Sequence, residues 1–365
     1  MNLLLKLLNL LRKRILVTSR RHYQWPLAAP LDFPRVVHIE NTNACPARCV
    51  MCSMDSMSRK VGIMDFALFE RLIGECAGRA EVREVHLHGF GEPLVDKDLA
   101  RKVALAKRLG IPFTYIVTNA FLLTEQASYE LIRAGLDGIK FSFYGMTRET
   151  YEKVHRHLHF EKTVQNIERF FQMRDRLKAP NPLVRFQFCP DLAGPEELPL
   201  FFQKWRPYLD ADRGDLFYTT GLHNWAGGKD YAALKVPEHL RHCAWPFMHM
   251  QILWDGRVIP CVFDYNGTVA LGDVTHDTIE EIWRSPRYES FREIWRQKRS
   301  ASVPICAKCD DPDGIFHPRP VDAALQPTAR RVIPQANARS RRLRFAFQDI
   351  RRDVKLELKY RNRLT

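Results

Sequence analysis

Apolar residues in this chain fall into two alternating periods, and the alternation predicts most of the architecture. Residues 35–40 (Arg-Val-Val-His-Ile-Glu) read as a strand. Asp65 stands where a helix N-cap belongs, and Phe66, Phe69, Ile73 and Cys76 then share one helical face, which makes Cys76 a core residue. Strand signals follow at 85–88, 113–117, 138–143, 184–188 and 215–218. Between them lie helical stretches at 98–109, closed by Gly110, and at 124–134, closed by Gly135, then at 147–155, 161–177 and near 196–205. Repeated strand–helix units build a parallel sheet with helices outside. The predicted class is therefore α/β, a partial (βα)6 TIM-like barrel of about six units whose working loops follow the strands' C-terminal ends.

The pattern changes at both ends. In residues 1–17, Leu3, Leu4, Leu7, Leu8, Leu11 and Ile15 share a face opposite Lys6, Asn9, Arg12 and Lys13. Such a helix is ~22 Å long, too short for a hydrocarbon core of ~30 Å. It suits the surface of an anionic membrane, or a partner. Lys6 breaks the apolar run and no small-residue cleavage site follows, which argues against a signal peptide. Pro26, Pro30 and Pro34 mark a linker. After about Cys243, residues 251–254 and 257–259 flank Asp255-Gly256 as a tight hairpin, and helical stretches follow at 279–283 and 288–298. Past Pro318 comes a Pro-, Ala- and Arg-rich stretch, then a basic helix with Phe347, Ile350 and Val354 on one face. The expected domains are an amphipathic helix and linker (1–34), the barrel (35–235), a small α+β domain (236–317) and a basic tail (318–365).

Charge narrows the function. The net charge is +14. Residues 1–35 hold seven Lys/Arg against one Asp, and residues 330–365 hold twelve against three acids, so the middle is nearly neutral. A nucleic-acid-binding core would not look like this. Nine cysteines, several of them clustered, read as metal binding in a reducing compartment rather than a secreted disulfide framework.

The chemistry centres on Cys45-Pro46-Ala47-Arg48-Cys49-Val50-Met51-Cys52, directly after the first strand. One short loop can aim three soft thiolates at a point, and such ligands suit zinc or an iron–sulfur cluster. Three are one short of a structural zinc site. On a four-iron cube they would leave one iron open. Cys243, Cys261, Cys306 and Cys309 form a second set, and four thiols suit zinc or a fully ligated cluster.

The order of further motifs breaks the tie. Glu40 and Thr42-Asn43 lead into Cys45, Cys49 and Cys52; the second strand ends in Gly89-Phe90-Gly91-Glu92-Pro93; the third ends in Thr118-Asn119-Ala120; the fourth carries Ser142; and Arg156 follows. In this order they resemble the radical SAM enzymes. The resemblance implies a [4Fe-4S] cluster on the three cysteines that binds S-adenosyl-L-methionine. It also implies that the Gly89, Phe90, Gly91, Glu92 loop holds the amino group, that Thr118-Asn119 stands for the family's Thr-Asn-Gly, and that Ser142 touches the ribose. Arg156 would pair with the methionine carboxylate. Met51 stands where an aromatic is common, so a thioether would pack the adenine, and Phe143-Tyr144 replaces the commoner Ile-Asp after Ser142.

Trp245-Pro246, Asp255-Gly256, Pro260-Cys261, Leu271-Gly272-Asp273 and Ile282-Trp283 resemble the SPASM auxiliary-cluster domain. With four cysteines the match is to its shorter twitch form, with one auxiliary [4Fe-4S] cluster. The same spacing is found in radical SAM dehydrogenases acting on the aminocyclitol 2-deoxy-scyllo-inosamine. The resemblance thus implies an oxidoreductase that cleaves S-adenosylmethionine to a 5′-deoxyadenosyl radical, takes hydrogen from its substrate, and passes the remaining electron to the auxiliary cluster. The expected substrate is an alcohol carbon of a sugar, cyclitol or lipid-linked glycan. A peptide maturase, an epimerase and a membrane-bound iron–sulfur electron carrier are the alternatives. Flavodoxin or ferredoxin would be the reducing partner, and the basic ends would seat the protein on the inner face of the cytoplasmic membrane. Cys189 after the fifth strand reads as a core thiol. His86 and His88 point the same way on their strand, to the inside or the outside. His223 to Gly228 resembles a loop recurrent in SPASM proteins that bridges domains.

Overall fold

A computed structural model describes residues 31–210, 213–229 and 243–310. The amphipathic helix expected at 1–17 and the tail from 318 lie outside the described residues. The described residues fall within one compact unit. Its frame is a nine-stranded sheet. The barrel strands are β1 (Val36–Ile39), β3 (Glu84–His86), β4 (Phe113–Thr118), β5 (Gly138–Ser142), β7 (Leu183–Phe188) and β8 (Leu216–Thr219), paired in parallel in that order. These six strands with their helices are the partial barrel that the alternating periods predict.

Side chains alternate across each strand, and the two faces differ sharply here. Val37, Ile39, Val85, Ile116, Ile139, Phe141, Val184 and Phe186 point outward into one continuous core with Phe69 and Ile73 of helix Phe66–Cys76 and Phe170 of helix Phe160–Arg176. The concave face instead carries His38, His86, Tyr115, Lys140, Arg185 and Tyr218. Helix ends follow local chemistry. The Asp65 carboxylate accepts the Ala67 and Leu68 N–H groups as the expected N-cap. Gly135 closes helix Glu125–Ala134 at φ +86°. Cys76 is buried in the core.

Two features depart from expectation. The C-terminal hairpin is not a detached lobe. Its first strand β9 (His249–Ile252) pairs in parallel with β1, Val36 opposite His249 and Ile39 opposite Ile252, and β10 (Arg257–Ile259) and β11 (Gly272–Asp273) continue the same sheet in antiparallel register. The helix expected over 147–155 ends at Val154. His155 and Arg156 (β6) leave it to pair with Arg48 and Cys49 (β2) in the cysteine loop. Backbone pairing to a distant loop overrides the local helical pattern there.

Candidate functional site

The loop after β1 is held by polar side chains before any cysteine is reached. Thr42 Oγ1 donates to the Gly62 carbonyl at 2.7 Å, and Asn43 both donates to the Lys60 carbonyl and accepts the Gly62 N–H. Glu40, fully buried, takes both Arg59 guanidinium arms at 2.8 and 2.9 Å and also the Phe90 and Trp254 N–H groups. Arg59 donates its Nε to the Tyr265 carbonyl at 2.7 Å. One carboxylate thus ties β1, the cysteine loop, the glycine loop and the C-terminal hairpin together. A buried, multiply hydrogen-bonded pair of this kind serves geometry more than net stability.

The fold turns Cys45, Cys49 and Cys52 toward one another. Burial pushes the Cys45 thiol up to about 12, with the Glu92 carboxylate adding to it. Burial, then Cys52 and Cys45, raises Cys49, and burial raises Cys52. Such thiols ionise in company with a cation, since metal binding and thiol deprotonation are coupled. Asn119 Nδ2 lies 3.8 Å from Cys45 Sγ, and His155 Nδ1 lies 3.2 Å from Cys49 Sγ. Sequence reasoning missed His155. The signal was its place one residue before the flagged Arg156, on the opposite face of an extended pair.

The remaining motif residues divide into two groups. Some hold the loop together. A Cβ at Gly91 would stand 2.5–2.8 Å from the Thr42, Asn43 and Ala44 backbone, and one at Gly89 would strike the Glu40 side chain. The glycines therefore let two chain segments touch. Glu92, 2% exposed, accepts from Thr118 Oγ1 at 2.7 Å, the Asn119 N–H at 2.8 Å and the Leu94 N–H at 3.2 Å. Burial still lifts its pKa to about 7 against those three bonds. Phe90 is buried against Leu253 and Ile259, with Trp225 and Tyr265 packed on it, and so joins barrel to hairpin. Arg156 is the residue expected to pair with the methionine carboxylate. It is nearly half exposed, pairs with Asp55 at 2.7 Å, and donates to the Arg48 carbonyl. Alternation on β6 sends His155 inward and Arg156 out.

Other residues line a cleft of about 310 Å³, whose walls include Met51, Tyr144, Gln187, Cys189, His223 and Trp225. Ser142 closes β5 two residues before Tyr144. Cys189, expected as an inert core thiol, is 2% exposed yet reaches the cleft wall, and burial and Asp191 push it up to about 11.

Cys243, Cys261, Cys306 and Cys309 converge on a second cavity of about 390 Å³, which Trp245 and Ala226 also line. Burial and the other three cysteines raise the Cys243 thiol. Four soft donors lining one cavity fit a fully ligated cluster, and three turned toward one another on one loop fit a cluster with an open iron. The loop 223–228 spans the two. Trp225 Nε1 donates to the Met51 carbonyl at 2.6 Å, while Asn224 donates its N–H to Asp310 and its Nδ2 to the Lys308 carbonyl, each at 2.8 Å.

A half-barrel with a three-cysteine loop after its first strand, joined to a four-cysteine lobe, defines a class. Residues 39–176 match the radical SAM superfamily, and residues 243–310 match the SPASM iron–sulfur cluster-binding domain. The chain thus carries a radical SAM domain followed by a C-terminal SPASM domain. It is 23% identical over 316 residues to the tungsten-containing aldehyde ferredoxin oxidoreductase cofactor-modifying protein of Pyrococcus furiosus, covering 75% of this chain and 87% of that one. It is 21% identical over 279 residues to the S-adenosyl-L-methionine-dependent 2-deoxy-scyllo-inosamine dehydrogenase of Niallia circulans, covering 76% and 92%. Among solved structures, BtrN in complex with AdoMet and 2-DOIA superposes with a TM-score of 0.54 at 19% identity, covering 78% and 96%. Streptococcus suis SuiB bound to precursor peptide SuiA superposes at 0.59 and 14%, covering 78% and 71%. At these identities the superpositions establish the fold. The two domains bring with them a cluster that binds S-adenosylmethionine and an auxiliary iron–sulfur cluster.

Proposed function

We propose that this enzyme oxidises an alcohol carbon of a sugar, cyclitol or lipid-linked glycan, with the electron leaving through the auxiliary site. The observation behind this reading is the cleft itself. Met51 of the cysteine loop lines it, and so does Trp225, whose neighbour Ala226 lines the four-cysteine cavity. A substrate held there has one cysteine site on either side. In this reading Cys45, Cys49 and Cys52 hold the first cluster, and Cys243, Cys261, Cys306 and Cys309 hold the second.

When bound, S-adenosylmethionine and its cluster supply a carbon radical able to take hydrogen from an unactivated C–H bond, and the auxiliary cluster supplies an electron acceptor. The chain supplies position and dryness. Tyr144, Leu192 and Leu222 wall off water, while Gln187, Thr220 and His223 offer polar atoms to hydroxyl groups. Lys140 stands on β5 on the concave face, and burial with Arg185 draws its pKa down to about 8. Flavodoxin or ferredoxin is the expected reductant. The basic ends are expected to bring the protein to the inner face of the cytoplasmic membrane; among the described residues, no helix is long and apolar enough to cross one.

One observation favours a second reading. Cys189 lines the same cleft, and a thiol there could return hydrogen to the opposite face of a substrate radical, giving epimerisation. The test is anaerobic turnover with dithionite, followed by 5′-deoxyadenosine and by product analysis in deuterated water. Wild type should form 5′-deoxyadenosine and a carbonyl product. Cys45→Ala should form neither, and Cys261→Ala should keep the first while losing the second. Deuterium at carbon without a carbonyl would select epimerisation. Absence of 5′-deoxyadenosine from cluster-loaded wild type would leave an electron carrier.

A further inference from the structure

Below the cysteine loop, the concave face carries a set of nitrogen donors that the cluster sites leave unused. One ring nitrogen from each of His38, His86 and His88 lies within 4.8 Å of the other two. His38 is 5% exposed, and neither of its ring nitrogens has a hydrogen-bond partner. The Nδ1 atoms of His86, His88 and His249 are likewise buried and unpartnered, as are both amide atoms of Gln251. Buried polar atoms are almost always satisfied, and a bound ion is one way to satisfy a cluster of them.

Tautomers sharpen the case. His86 Nε2 lies 2.6 Å from Glu84 Oε2, so the proton sits on Nε2 and the lone pair on the unpartnered Nδ1. This is the carboxylate–histidine arrangement that orients metal ligands. The rings pack closely, His38 edge-on to His86 at 4.3 Å and tilted against Trp245 at 5.3 Å between ring centroids, and His249 is 5.6 Å from His38.

We propose that His38, His86 and His88 bind one first-row divalent cation of the zinc class inside the barrel, with Glu84 orienting His86 and His249 in reach as a fourth donor. Imidazole is a preferred ligand for such ions, and no carboxylate or thiolate stands among the three to favour a harder or softer one. Bonds of about 2.0–2.1 Å require these nitrogens to close in by roughly an ångström, within the reach of side-chain rotation. Trp245 packs on His249 at 4.2 Å and also lines the four-cysteine cavity, so the cation would lie one side-chain layer from it.

The test uses the cluster-loaded protein, exposed anaerobically to a small excess of zinc chloride and then desalted. Wild type should retain one zinc per chain beyond its cluster iron, with a nitrogen-only shell at about 2.0–2.1 Å in zinc-edge X-ray absorption. His38→Phe and His86→Gln should lose that zinc at unchanged iron and sulfide content, which also reports folding. Glu84→Gln should weaken zinc affinity by about 10- to 100-fold. Should His38→Phe lose its iron, His86→Gln and Glu84→Gln carry the test. No retained zinc, sulfur in its first shell, or unchanged zinc in His86→Gln would overturn the proposal.

Discussion

His155 places its Nδ1 3.2 Å from the sulfur of Cys49, while its Nε2 accepts the Tyr144 N–H at 3.0 Å. The second contact decides the first. Because Nε2 is an acceptor, the proton sits on Nδ1, and the ring donates to sulfur. Burial holds this imidazole neutral by lowering its pKa to about 3. Hydrogen bonds to cluster sulfurs help to set the reduction potential.

His155→Phe removes that donor without removing a thiol. The variant is expected to keep its iron and to show a potential for the three-cysteine cluster lowered by on the order of 50 mV, the equivalent of roughly 1 kcal/mol for one electron. An EPR-monitored redox titration reads this, and an unshifted midpoint would remove His155 from the account.

Two glycines should respond in opposite directions to one methyl group. At Gly91 the added Cβ would meet three backbone atoms at 2.5–2.8 Å, and backbone cannot swing aside. Gly91→Ala is expected to lose cluster iron or soluble protein altogether. At Gly74, inside helix Phe66–Cys76, nothing lies within 4 Å. Gly74→Ala should raise stability by about 0.5–1 kcal/mol through helix propensity, seen as a later thermal transition. Equal tolerance at both sites would contradict the packing described.

Glu92 gives a pH dependence with a definite sign. Its folded pKa of about 7 stands above the unfolded carboxylate value of ~4.3. The folded state binds this proton more tightly, so the stabilisation is complete below the unfolded value and is lost as pH rises through about 7, levelling off beyond. The loss is on the order of 2–4 kcal/mol. Between pH 5.5 and 8, wild type should therefore lose thermal stability more steeply than Glu92→Gln. Parallel slopes would mean that Glu92 is already ionised across the range.

Much of this protein was determined by local pattern. Alternating periods marked the six barrel strands, Asp65 and Gly135 marked helix ends, and cysteine spacing marked two ligand sets, because each depends on residues near in sequence. The tertiary structure alone decided what those residues touch. Gly91 and Glu92 belong to a motif legible as text, yet their partners, the 42–44 backbone and the Thr118-Asn119 turn, lie far along the chain. The same holds for Glu40 with Arg59, for His155 turning inward where Arg156 turns out, and for β9 adding itself to the open edge at β1. His86 and His88 showed their shared parity in the sequence. That they stand beside His38 on the neighbouring strand follows from strand register, which sequence spacing does not encode.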